Sequence, residues 1–300
     1  MRLLISLLGV ITMRIAGCLL MMGMVFAYPD ITANAARTAL RVFGLDIVPT
    51  LFPYMVLTRT LMTMMKGMNG SSIWMLALLG WLGGSPSGAS MIRTFSATHA
   101  MHRRSTLALC TLTGTISPVF LLRTVHAWFD DSHLLTLVAA SHFAGAALSS
   151  LVVYLCCFHV QSAVAFSRIP TSDHEDNVIS SCALSILGIG GCLVFYSVLS
   201  DVLSAVLFKS NGVSASFLHA SLEIAGGLRA LSEYGPQTRA ESGILCAFCC
   251  GFSGLSMISQ NAMFFKPLRI TTPQLIGMGI LRACLSAGVM SLLLSAYSSI

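Results

Sequence analysis

The sequence predicts an all-α, polytopic integral membrane helical bundle of about eight or nine hydrophobic segments, and three observations predict it. Hydrophobic residues make up 55% of the chain and charged residues only 9%, against about 25% charged in an average soluble domain. No compact soluble core hides that much apolar surface. The apolar residues gather in runs, most of them near the roughly 20 residues a helix needs to cross the hydrocarbon core. The connections between the runs are mostly short and polar. Net charge is +6, but the 17 Lys and Arg residues are scattered through loops. They form no basic stripe interleaved with aromatics, so nucleic-acid binding has no support.

The first run, residues 3–27, carries Arg14 near its middle, where a charge costs a few kcal/mol. It reads as a retained signal-anchor helix within an N-terminal segment 1–30; a start at Met13 or a cleaved signal are the alternatives. Ile15-Ala16-Gly17-Cys18 mimics a lipoprotein cleavage box, but Arg14 interrupts the apolar stretch that box requires. Further runs cover 45–65, 73–84, 107–122, 134–158, 182–208, 217–231, 244–265 and 275–296. Two of them, 73–84 and 217–231, are too short to cross alone and read as broken or re-entrant helices. The polar stretch 161–181, with Pro170, Asp173, His174, Glu175 and Asp176, separates residues 31–160 from residues 182–300. Arg37, Arg41, Arg93, Arg103 and Arg104 mark cytoplasmic candidates, with too small an excess to fix orientation. All ten cysteines fall in apolar runs and read as small membrane-helix residues. Cys246, Cys249 and Cys250 have the spacing of half a zinc site, but no second His or Cys cluster accompanies them, so no metal is expected.

The two halves resemble each other. Leu51, Tyr54, Val56 and Leu57 recur in step as Leu193, Tyr196, Val198 and Leu199, and Ser87-Gly88-Ala89-Ser90-Met91-Ile92 matches Ser253-Gly254-Leu255-Ser256-Met257-Ile258 at five of six places. Duplicated membrane folds with Gly/Pro-interrupted helices are the pattern of secondary transporters, where unwound backbone near midplane holds a solute or ion. Gly83-Gly84-Ser85-Pro86-Ser87-Gly88 and Gly251-Phe252-Ser253-Gly254 are such interruptions. Equally, small residues let helices pack closely in any bundle.

Several motifs in order resemble one known family. They are Pro49-Thr50-Leu51-Phe52-Pro53-Tyr54, Gly84-Ser85-Pro86-Ser87-Gly88-Ala89, Ser117-Pro118-Val119-Phe120, Ser141-His142-Phe143-Ala144-Gly145, Leu222-Glu223-Ile224-Ala225-Gly226-Gly227 and Gly251-Phe252-Ser253-Gly254-Leu255-Ser256. Together they are similar to sporulation integral membrane proteins of the YlbJ type, which carry the nucleoside-recognition or Gate domain. The resemblance spans residues 28–295. It implies two Gate-like repeats with broken or re-entrant hairpins meeting at midplane, and a permease-like relative of concentrative nucleoside transporters. It also implies a role in endospore formation, moving a small anionic metabolite of dipicolinate type, or a nucleoside-like one, across a bacterial cytoplasmic or forespore membrane. Two places depart from the family pattern: its Tyr-Pro-Ser-Gly reads Ser85-Pro86-Ser87-Gly88 here, and Ser117 stands where an Asn commonly precedes Pro118. The expected solute site is therefore Gly84, Ser85, Pro86, Ser87, Gly88, Ser117, Pro118, Glu223, Gly226, Gly227, Ser253, Gly254 and Ser256.

Ionisable residues inside a bilayer are expensive and are functional candidates by default. Glu223 is expected to bind a coupling cation, a proton or the solute; its structural alternative is a pair with Arg229 or Arg282. Arg59 and Asp201 occupy matching places in the repeat, which would bring opposite charges together. Arg59 and Arg282 suit an anionic solute through bidentate contacts, unless they snorkel. His142 is a candidate proton relay, although a lone membrane His more often bonds a neighbouring helix.

Gly251-Phe252-Ser253-Gly254 with His142 and Gly145 has the look of a rhomboid-type intramembrane protease. There the serine helix precedes the histidine helix; here His142 comes first and no histidine follows residue 219. The paired Asp residues of an aspartyl protease are missing, since no Asp follows Asp201. The expectation is a non-enzymatic permease without cofactor, whose partners are a small solute, a coupling ion or proton and the lipid bilayer. A non-transporting scaffold of a sporulation or envelope complex is the alternative.

Overall fold

The computed structural model describes residues 2–64, 72–98, 101–122, 131–157, 177–208, 212–236 and 238–298. Among these the chain is helical throughout, with no strand. Five helices are long and apolar enough to cross a membrane: Pro29–Met64, Ser132–Cys156, Val178–Leu207, Arg239–Leu268 and Thr272–Ala296. Large apolar side chains such as Leu57, Leu151, Leu184, Phe195 and Leu292 stay exposed on their outer faces, which suits a solvent of lipid tails. The chain is an α-helical membrane protein.

Of the nine apolar runs, five coincide with these spanning helices. The others take different forms. Residues 3–27 lie in α1 (Arg2–Ala27). Residues 73–84 correspond to α4 (Ser72–Gly83). Residues 107–122 contain most of α6 (Arg103–Thr113), an irregular stretch and α7 (Pro118–Phe120). Residues 217–231 are two half-length helices, α10 (Val213–Leu222) and α11 (Ile224–Tyr234). Hydrophobic segments and long apolar helices thus differ in number, five of the latter standing among the described residues.

The run at 45–65 begins too late. Helix α2 (Pro29–Val42) precedes it, with a small-residue face in which Ala35 and Ala39 are buried, and continues into α3 (Val48–Met64) through one π-turn. There the Val48 N–H reaches the Phe43 carbonyl, immediately before Pro49, which has no N–H to give back to the preceding turn. The expected linker 161–181 lies largely outside the described residues; its last residues already belong to α9 (Val178–Leu207), capped by the Asn177 side chain.

Each half carries a sharp reversal. Between α4 and α5 (Ser87–Thr98) the chain turns at Gly84, φ +61°, and at a cis Ser85–Pro86 peptide. The two arms touch at Gly80 and Gly88, where a Cβ on Gly88 would strike the Gly80 carbonyl and Thr113. Helices α10 and α11 fold back at Glu223; a Cβ on Gly227 would overlap the Ala220 backbone, and Ser216 Oγ donates to the Ala230 carbonyl. Arms of 10 to 12 residues are about 15–18 Å long, roughly half of a 30 Å hydrocarbon core.

Each half also has an interrupted helix that runs on past its break. The first is α6 and α7, parted at Gly114–Ser117. The second is α12 (Arg239–Phe252) and α13 (Gly254–Phe265), parted at Ser253, φ 68°, and Gly254, φ 75°. A long helix ends each half: α8 (Ser132–Cys156) and α14 (Thr272–Ser298). Helices of similar apolarity gain little from hydrophobic contact in lipid, so close backbone approach at small residues matters more. Gly145 of α8 lies against Ser286 of α14, and Gly251 of α12 against Ala283 of α14, where added Cβ atoms would meet backbone. The repeated Tyr residues tie α3 and α9 to these pieces: Tyr54 Oη donates to the Leu79 carbonyl of α4 at 2.6 Å, and Tyr196 Oη shares a hydrogen with Ser259 Oγ of α13 at 2.7 Å.

Candidate functional site

Interrupting a helix frees carbonyls before the break and N–H groups after it. In this chain three of the four interruptions line one cavity, and the fourth, at Ser253 and Gly254, packs behind the second reversal. A cavity of about 360 Å³ is lined by Ser85 and Pro86 from the first reversal, Ile116 and Ser117 from the first broken helix, and Glu223 to Gly226 from the second reversal. Ser256 and Gln260 on α13 complete the inner wall. The opposite wall comes from α2, α3 and α9, through Ala39, Thr50, Tyr54, Leu193, Ser197 and Asp201.

The interruptions are braced against one another. Ser85 N–H donates to the Thr115 carbonyl at 2.7 Å, and Ser85 Oγ donates to Asn261 Oδ1 on α13 at 2.6 Å. Ser117 caps α7 by accepting from Phe120 N at 3.2 Å, with Pro118 in the first helical turn, where its missing N–H costs nothing. Ser87 Oγ donates to the Gly84 carbonyl. A Cβ on Gly84 would press on Ser117 N, and one on Gly254 would lie 3.2 Å from the Ala220 carbonyl. Their left-handed φ values also favour glycine.

Glu223 sits at the second turn in extended backbone, 5% exposed. Its carboxylate accepts from Ala225 N at 3.0 Å and Gly226 N at 2.7 Å, the first orphan donors of α11. An acid at a helix N-terminus also opposes the positive end of the helix dipole. The alternatives of a pair with Arg229 or Arg282 are corrected: Arg229 Nε lies 3.1 Å from Glu233 Oε1, and Arg282 bonds backbone.

Of the thirteen expected solute-site residues, Ser85, Pro86, Ser117, Glu223, Gly226 and Ser256 line the cavity. Gly84, Ser87, Gly88, Pro118, Gly227, Ser253 and Gly254 stand behind them and hold the turns. Of the expected coupling residues, only Asp201 and Glu223 reach the cavity. Asp201 Oδ1 lies 3.5 Å from His219 Nδ1 of α10, not beside Arg59, which donates to Ser181 Oγ at 2.6 Å. The expected Arg59–Asp201 meeting fails because Arg59 meets α9 in its first turn, at Ser181, whereas Asp201 lies near the other end of that helix, about 30 Å away. Arg282, 4% exposed, points away from the cavity and donates to the Gly251 and Thr111 carbonyls at 3.2 and 3.1 Å. It holds the ends of two broken helices and is not placed to grip a cavity solute. His142 is wholly buried against Phe143, and neither ring nitrogen has a hydrogen-bond partner. Ser253 Oγ donates to the Cys250 carbonyl, so Ser253 and His142 form no nucleophile–base pair.

Sequence reasoning missed Asp46, Thr50, Ser197 and Ser200, all on the cavity wall. A signal existed on α9: Ser197, Ser200, Asp201 and Ser204 recur at helical spacing in an otherwise apolar helix. Asp46 and Thr50 had none, because the π-turn between α2 and α3 that sets which face they share is not written in a residue pattern.

Comparison of the chain with protein-family models, curated proteins and solved structures gives no match.

Proposed function

We propose that this chain is a permease-like membrane protein that passes a small metabolite through the cavity, with Asp201 and Glu223 as the ionisable groups beside it. The observation that carries the reading is the convergence of three helix interruptions from both halves on one chamber large enough for a small molecule, with the fourth break packed behind it. Interrupted helices at corresponding places are how secondary transporters bring free backbone groups to a midplane site.

Element order supports the same reading. A reversal returns to the side it started from, whereas a broken helix and a long helix each cross. With its leading helix, α2–α3 or α9, and with α6–α7 taken as a crossing beside the five long apolar helices, each half would cross three times. An odd number turns the second half upside down relative to the first, as in inverted-repeat transporters. This would be the Gate-like duplication the sequence resembles, and alternating access would move the reversals and broken helices against the α2–α3 and α9 wall. The matched serine motifs fit it less well, since Ser87 follows a reversal and Ser253 interrupts a crossing helix. The YlbJ-type resemblance would place the protein in a bacterial cytoplasmic or forespore membrane, with a dipicolinate- or nucleoside-like cargo.

Flux of dipicolinate and of nucleosides into proteoliposomes, compared for the wild type and Glu223→Gln over several pH values, tests this. Saturable flux lost in the variant is the expected result. No flux of either from well-folded protein would move the assignment to a non-transporting scaffold.

A further inference from the structure

We infer that the solute of this cavity carries a positive charge on a small apolar body, an organic ammonium, with its charged end between Asp201 and Glu223. The inference rests on the permease reading and changes the charge expected of the cargo.

The ionisable groups on the cavity wall are Asp46, Asp201, Glu223 and Arg229. Arg229 is the one basic residue among them, and its guanidinium is 63% exposed and engaged with Glu233. The other arginines that could have offered charge from within the bundle are committed elsewhere: Arg282 to the Gly251 and Thr111 carbonyls, Arg59 to Ser181. By formal charge the described wall is therefore net acidic, with three carboxylates to one guanidinium, and His219 stands 3.5 Å from Asp201.

An anionic solute would look for a free helix N-terminus. At α11 that position is filled by the chain's own carboxylate, since Glu223 accepts from both Ala225 N and Gly226 N. Asp201 and Glu223 line the same cavity. Two acids facing one chamber repel each other and any carboxylate brought between them; a cation there relieves both. Ser197 and Ser200 on the same wall offer hydroxyl oxygens to ammonium N–H groups, and Leu51, Ile116, Ile189, Leu193 and Met257 make the remainder apolar. Charged at one end and greasy over the rest, the lining complements a solute of the same pattern.

Three probes of one shape and different charge test it: 2-phenylethylammonium, 3-phenylpropionamide and 3-phenylpropionate, titrated against the full chain in nanodiscs. The ammonium is expected to bind at least ~10-fold tighter than the carboxylate, and Asp201→Asn to weaken it about 10-fold, a loss of one paired charge. Asp46→Asn, at the exposed rim, is a second variant, expected to weaken the ammonium and leave the amide unchanged. Carboxylate binding as tight as ammonium binding, or binding of none of the three, overturns the inference. So does carboxylate binding that appears only with added sodium, which would make the positive charge a co-bound ion. The permease reading fails separately: ammonium binding without flux of that probe would keep the charge assignment and remove transport, whereas dipicolinate flux with no ammonium binding would do the reverse.

Discussion

Arg282 on α14 donates to the Thr111 carbonyl on α6 at 3.1 Å, across 171 residues of sequence. The same guanidinium holds the Gly251 carbonyl on α12. Thr111 and Gly251 lie in the last turns of the leading pieces of the two broken helices, where carbonyls lack intrahelical partners and the dipole is negative. One buried cation thus caps both, and joins the first half to the second behind the cavity.

Replacing Arg282 by Met leaves two buried carbonyls unbonded, at about 1–3 kcal/mol each. Arg282→Met is expected to lower the thermal midpoint in detergent strongly, and Arg282→Lys to restore only part, because one ammonium cannot reproduce the planar fork. An unchanged midpoint in Arg282→Met would remove the capping role.

Glu223 caps α11 with both carboxylate oxygens. Glu223→Gln keeps one acceptor oxygen and is expected to cost about 1 kcal/mol, whereas Glu223→Ala loses both bonds and is expected to cost about 2 kcal/mol. Chemical unfolding in mixed micelles measures the difference. Equal stability of the two variants would show that the carboxylate does not hold the turn.

Ser85 and Asn261 join the first reversal to the second broken helix. A double-mutant cycle of Ser85→Ala and Asn261→Ala is expected to give a coupling of about 1 kcal/mol. Additive effects would mean that the two elements do not meet in the working protein.

Glycines separate into two classes. Gly84 combines φ +61° with a Cβ position pressed on Ser117 N, and a Cβ on Gly227 would overlap Ala220, whereas Gly191 has nothing near it. Gly84→Ala and Gly227→Ala are expected to yield little monodisperse protein by size exclusion; Gly191→Ala should match the wild type. Normal yield of both hairpin variants would contradict the tight reversals.

Cys284 is exposed on α14 within a membrane-spanning stretch. A charged maleimide does not enter the hydrocarbon core, so in intact vesicles of a variant that keeps Cys284 as its single cysteine it should leave this thiol unlabelled. Fast labelling by the charged reagent would place this face in water.

The sequence alone determined the solvent and the secondary structure. With 55% hydrophobic residues in long runs, the backbone must satisfy itself internally, and only helices do so in single segments. It also marked the breaks, because Gly84, Pro86, Pro118 and Gly254 are residues that helix geometry resists or that left-handed φ favours. What it did not contain was the destination of each side chain. Whether a short apolar run reverses or continues depends on whether a neighbouring arm can approach, as Ala220 approaches Gly227, and that is a property of two segments at once. For the same reason Glu223, Asp201 and Arg282 all read as costly charges in lipid, and only tertiary packing sorted them. It set two acids on the cavity wall and turned the arginine toward carbonyls that the broken helices had left without partners.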